Sequence, residues 1–154
     1  MDPTRADFWI AVAVASLCGA VIGVERQLRG KPAGIRTSIL ICLGTMTFIR
    51  LGSDVAGPGG ETTRVLGQVV TGVGFIGAGV MLAREGLVRG VTSASVIWML
   101  AAIGALAGFG RNGAALVLAL LVLAVLSGVQ MLEHAVRHLR RGDYARDADT
   151  KDQG

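Results

Sequence analysis

The chain has 154 residues, which suits one domain; 52% are hydrophobic before its 23 glycines are counted, and mean hydropathy is +0.59. Only 17% are charged, too few to clothe a soluble fold of this size, and they cluster between long apolar runs, the pattern of a polytopic membrane protein. A formal charge of +4 and a pI of about 9.8 would suggest nucleic acid in a soluble protein. Here the basic residues flank apolar runs, so the expected acidic partner is the bilayer with its anionic headgroups, and no nucleic-acid role is expected.

The chain opens with Asp2, Arg5 and Asp7 rather than a basic stretch. The first apolar run, residues 8–24, therefore reads as a retained span and not a cleaved signal. It holds Cys18 and the pair Gly19 and Gly23 at GxxxG spacing. The second run, residues 35–51, holds Cys42 and has Arg36 and Arg50 near its ends. It is the weakest of the runs, because it spans only if both arginines snorkel to opposite interfaces. A re-entrant segment is the rival. A Gly- and Pro-containing loop is expected over 52–61.

The third run, residues 65–83, carries Gly67, Gly72, Gly74, Gly77 and Gly79, and the fourth, 91–110, carries Gly104 and Gly108. The fifth, 113–132, is followed by His134 and His138. Each run is close to the length a helix needs to cross the hydrocarbon, and backbone in lipid must satisfy its own polar groups, so all five are expected to be helical. Residues 1–139 would form one membrane domain and 140–154 a polar, disordered cytoplasmic tail.

Charge sets the orientation. With five spans and the N-terminus outside, eleven basic residues fall inside: Arg26, Arg29, Lys31, Arg36, Arg84, Arg89, Arg137, Arg140, Arg141, Arg146 and Lys151. Four fall outside: Arg5, Arg50, Arg64 and Arg111. The positive-inside rule thus favours an all-α bundle of five transmembrane helices, N-terminus out and C-terminus in.

Lipid tails give helices no hydrophobic reason to associate, so small residues that let backbones approach matter more. Gly19, Gly23, Gly72, Gly74, Gly77, Gly79, Gly104 and Gly108 are read as packing positions within the bundle. A homodimer face, or a thin helix lining a polar cavity, is the alternative for them. Gly72 to Gly77 also matches GxGxxG, but no strand–turn–helix context exists for a dinucleotide site.

Glu25 stands at the end of a span amid Arg26, Arg29, Lys31 and Arg36, and is expected to pair with Arg36 or Arg84, since burial would penalise a lone carboxylate. Arg84, Glu85 and Arg89 repeat the theme in the second inner loop, where Thr92 or Ser93 could cap the next helix. These loops serve either as topology anchors or as a basic platform for a partner protein, an anionic headgroup or a phosphorylated ligand. No carboxylate sits mid-span, where polar groups are limited to residues such as Thr45, Thr47, Gln68 and Thr71, and the basic inner face opposes cation entry. No Ser/His/Asp or Cys/His set is visible. The two cysteines lack metal or disulfide spacing, and two histidines at i, i+4 are weak metal ligands. No enzyme activity, cofactor or metal is expected.

The strings GVERQLRGKPAGIRT (residues 23–37) and QVVTGVGFIGAGVMLAREGLVRGVTSASVIW (residues 68–98) resemble the signature of the MgtC/SapB family of membrane proteins. The resemblance covers much of the first four spans and extends loosely through the fifth. It singles out Glu25, Arg26, Gly34, Arg36 and Thr37, then Gln68, Gly72, Gly74, Gly77, Gly79, Arg84, Glu85, Arg89, Gly90 and Thr92, without a chemical role for any. It implies a bacterial inner-membrane protein, some relatives of which are tied to growth at low magnesium and to survival inside macrophages. It implies a regulator acting through membrane partners, ATP synthase among them, and not a direct magnesium transporter. Longer relatives carry a soluble cytoplasmic domain after the fifth span, so a short form is expected. The expectation is a non-enzymatic membrane regulator or adaptor with a membrane protein partner, able to form a homodimer. An oligomeric ion transporter or channel for magnesium or another ion, its path lined by the third helix, is the alternative.

Overall fold

A computed structural model describes residues 2–56, 62–84 and 87–129. The chain forms two compact units, Met1–Val122 and Leu123–Gly154. Of the second, residues 123–129 are described, and they are helical. The tail at 140–154, the domain end at 139, His134, His138, Glu85 and the 57–61 part of the loop lie outside the described residues.

Five helices follow one another: α1 (Ala6–Leu28), α2 (Ile35–Ala56), α3 (Thr62–Gly79), α4 (Val91–Gly108) and α5 (Asn112–Val129). The expected all-helical membrane bundle is therefore present, with one addition. Between α3 and α4, β1 (Leu82–Arg84) pairs antiparallel with β2 (Leu87–Arg89), Leu82 opposite Arg89. The third element thus stops at Gly79, short of the expected 83. Gly90 leaves the hairpin at φ +93 and starts α4. A Cβ there would collide with the Val80 carbonyl, so only glycine fits the turn.

Two helices end in the same device. Gly30 and Gly110 both adopt positive φ. After α1, the Gly30 amide donates to the Gln27 carbonyl and the Lys31 amide to the Arg26 carbonyl, each at 3.0 Å. After α4, the Gly110 amide donates to Ala107 at 3.0 Å and the Arg111 amide to Leu106 at 2.8 Å. Both are Schellman closures, which satisfy carbonyls that the bilayer interface would otherwise leave bare.

The weak span is not the expected one. α2 is a continuous helix of 22 residues, which argues against the re-entrant rival, and α1, α2, α4 and α5 are each long and apolar enough to cross a membrane. α3, with Arg64, Gln68, three threonines and five glycines among its 18 residues, is not among them. Arg50 lies inside α2 and reaches back to the first turn of α1. Its Nη2 donates to the Asp7 carbonyl oxygen at 3.0 Å, and its Nη1 lies 3.4 Å from the Asp7 carboxylate.

α2 is the axis of the core. A Cβ on Gly19 would lie 2.8 Å from the Ile39 Cα, and one on Gly23 2.6 Å from the Ile35 Cα, so α1 rests backbone-on-backbone against α2. On another side of α2, a Cβ on Gly104 would strike the Cys42 carbonyl, and one on Gly108 would lie 2.8 Å from the Ile49 Cβ, which brings α4 equally close. Both GxxxG pairs are spent inside the chain. Between them are buried Ala11, Ala15, Ile22, Met46, Ile49, Ile97, Leu100 and Ile103. The cysteines are free and buried, the Cys42 thiol 3.3 Å from the Leu100 carbonyl and Cys18 3.9 Å from that of Ala115.

Candidate functional site

The end of the bundle where α1 finishes and α2 and α4 begin gathers the residues that the sequence singles out. Lys31, Arg36, Thr37, Arg89 and Thr92 are exposed there. Arg29, three-quarters covered, holds the Glu25 carboxylate, its Nε 2.7 Å from Oε1. Glu25 therefore pairs one turn along its own helix, not with the expected Arg36, which is exposed and makes no ion pair among the described residues. An i, i+4 partner needs no ordering of a second element, which is why it wins. Arg84 lies in β1, and only its backbone is described.

Arg26 behaves unlike its neighbours. It is 1% exposed, the largest fully buried side chain among the described residues. Its Nη2 donates to the Ser93 hydroxyl at 2.7 Å, while Nε finds no acceptor. Ser93, expected as a cap, instead receives the guanidinium, and α4 has no side-chain cap. The buried positions of α1 explain this placement. Ala11, Ala15, Cys18, Ile22 and Arg26 recur at helical spacing, so Arg26 continues the core stripe rather than the surface. That periodicity was the available signal for Arg26. Ser38, also fully buried with its hydroxyl unpartnered, continues the buried stripe of α2 through Cys42, Thr45, Met46 and Ile49, and Arg29 stands four residues from Glu25, so helical spacing is the available signal for both.

The glycines divide. Gly19, Gly23, Gly104 and Gly108 lie against α2. Gly77 is in ordinary contact with Ala94, at 3.6 Å or more. Gly72, Gly74 and Gly79 pack against nothing among the described residues: a Cβ on any of them would meet none of their atoms within 4 Å. α3 leans on α4 through Val73, Ile97 and Ala101, and Gly77 lies in the same seam against Ala94.

The opposite end is mixed in charge. A polar cavity of about 450 Å³ there is lined by Asp2, Arg5, Asp7, Arg50, Ser53 and Asp54. Thr4 donates to the Asp2 carboxylate from its hydroxyl at 2.6 Å and its amide at 3.0 Å, which holds Asp2 below its ordinary pKa. Among the described residues no group of three or more His, Cys, Asp or Glu side chains is arranged to hold a metal ion.

A family model, the MgtC family, matches residues 12–135. Protein MgtC of Brucella abortus strain 2308 is 39% identical over 137 residues, covering 86% of this chain and 56% of its own. A protein of Escherichia coli K12 provisionally named a magnesium transporter, YhiD, is 44% identical over 112 residues, covering 68% of this chain and 52% of its own. Protein MgtC of Salmonella typhimurium LT2 is 44% identical over 110 residues, covering 71% and 46%. The chain spans about half the length of the curated relatives it matches. No solved structure matches. With its apolar helices and these relatives, it is a multi-pass protein of the bacterial inner membrane. The chain belongs to the MgtC family.

Proposed function

We propose that this chain is a non-enzymatic membrane regulator or adaptor, and that its basic end faces the cytoplasm and receives a membrane protein partner during adaptation to low magnesium. One observation carries the reading: Lys31, Arg36 and Arg89 stand exposed at a single end of the bundle, while Glu25 is occupied by Arg29. A set of free cations around a rigid scaffold suits the docking of an acidic surface, because orientation comes from charge and little ordering is needed. The same cations disfavour a divalent ion at that mouth. ATP synthase is the partner that the family resemblance suggests. The N-terminus would lie outside and the C-terminus inside.

The test is in-membrane crosslinking of the whole chain followed by mass spectrometry, with Arg36→Ala and Arg89→Ala beside it. The reading expects one membrane protein captured by the wild type and its loss from both variants at unchanged protein level. Capture that is identical for all three would overturn it. The competing reading, an oligomeric ion transporter, draws on the name of the Escherichia coli relative and on the open glycines of α3. Magnesium flux into liposomes holding the purified chain, above that of empty liposomes, would favour it.

A further inference from the structure

α2 and α3 touch at one place and stand apart at another. A Cβ on Gly52 would lie 2.6 Å from the Val65 side chain, so the two helices are in contact there. Toward the basic end they separate, and neither Gly44 nor Gly72 would bring a Cβ within 4 Å of anything. Between them runs a tapering groove of about 860 Å³, a size typical of ligand sites. Its walls are apolar: Leu40, Ile41, Phe48, Val69, Val73 and Ile76. From Thr37 to Val55 it follows α2 for roughly 27 Å, which exceeds the depth of one leaflet, about half of a ~30 Å hydrocarbon core.

The wide mouth carries a charge. On α2, Leu40, Gly44 and Phe48 form an i, i+4 row, and Arg36 extends that row by one turn beyond the groove. Arg36 is exposed and without an ion pair among the described residues, and the first turn of α2 has no acidic residue to compete for it. The amides of that turn add their own preference for an anion. An apolar trough ending in a guanidinium is complementary to an amphiphile with a negative head. The narrowing selects among apolar occupants, because a rigid helix cannot follow a groove pinched where Gly52 meets Val65, and a flexible acyl chain can.

We propose that this groove is a binding site for one anionic phospholipid, its phosphate on Arg36 and an acyl chain between α2 and α3. The inference goes beyond the regulator reading and does not rest on it. Its bearing on α3 is direct. The helix least suited to lipid on its own would be held against the bundle by a resident lipid.

The test uses the whole chain in nanodiscs of equal phosphatidylglycerol and phosphatidylcholine, with native mass spectrometry of the released protein. The wild type should retain phosphatidylglycerol in preference to phosphatidylcholine. Gly44→Leu and Gly72→Leu, which fill the groove from opposite walls where space is open, should each lose that adduct. Gly74→Leu, on α3 but outside the groove, should keep it. Arg36→Gln should bring the two lipids to parity. Thermal melting of each variant identifies any that fails to fold, and either filler alone suffices for the conclusion. Retention of the adduct by a folded filler variant, equal retention of both lipids by the wild type, or release of a lipid-free dimer would overturn the proposal.

Discussion

The Arg26 guanidinium and the Ser93 hydroxyl, 67 positions apart in the chain, meet at 2.7 Å in the interior of the bundle and tie the last turn of α1 to the first turn of α4. The bond is charge-assisted, and no other acceptor serves the guanidinium among the described residues. Removing Ser93 would leave a buried cation beside the positive end of a helix. Ser93→Ala is expected to cost about 1–3 kcal/mol of stability. Arg26→Met should cost less than that in the Ser93→Ala background, because the orphaned charge leaves with it. Melting temperatures of the four proteins in one detergent complete this double-mutant cycle. Additive losses would show that the two side chains do not depend on each other.

The glycines give a contrast within one residue type. Gly23 and Gly104 approach backbone on α2, so an added methyl must push helices apart. Gly23→Ala and Gly104→Ala are each expected to lose roughly 1–3 kcal/mol, the usual cost of overpacking. Gly67 on α3 has open space, so Gly67→Ala should gain roughly 0.5–1 kcal/mol from the lower helical cost of alanine. Unfolding monitored by circular dichroism separates the two signs. Equal behaviour of all three would refute the division.

What could be read in the sequence follows from the same physics. Helix number and helical class were legible because lipid imposes length and internal hydrogen bonding on every such run. The partner of Glu25 was not, because Arg29, Arg36 and Arg84 are alike in type and only the helix end at Gly30 decides which is nearest. Ser93 reads as a cap in the sequence because its local position suits one; a contact made across 67 residues leaves no local trace. The weak span was misplaced at α2, since charged ends are conspicuous, while the dilution of α3 by glycine and threonine is not.

Asp7 and Arg50 join the other end of the bundle, and they do so weakly. The carboxylate is half-exposed and takes Arg5 Nε at 3.0 Å, with Arg50 Nη1 farther off at 3.4 Å, whereas the Asp7 main-chain carbonyl receives Arg50 at 3.0 Å. Most of the contact therefore survives loss of the carboxylate. Asp7→Asn should change the melting temperature little, as loss of an exposed ion pair does. Arg50→Ala should cost more, since it also removes the bond to the backbone and a guanidinium 6.0 Å from the Phe8 ring. Melting in parallel would test this order, and a larger loss for Asp7→Asn would reverse it.

Orientation can be tested with the chain's own cysteines as a silent background. Cys18 and Cys42 are free and buried, so a membrane-impermeant maleimide should not label the wild type in intact cells. Thr4 and Arg111 are exposed at one end of the bundle and Lys31 at the other. With the basic end inside, Thr4→Cys and Arg111→Cys should label in intact cells, and Lys31→Cys only after the membrane is opened. The reverse pattern would turn the molecule over and place the Lys31, Arg36 and Arg89 surface outside the cell, where no cytoplasmic partner could reach it. Labelling of all three positions in intact cells would mean that the helices do not alternate across the bilayer. Because the three sites lie in separate connecting segments, one folding defect cannot mimic the expected pattern, and the experiment separates the orientation of the bundle from its stability.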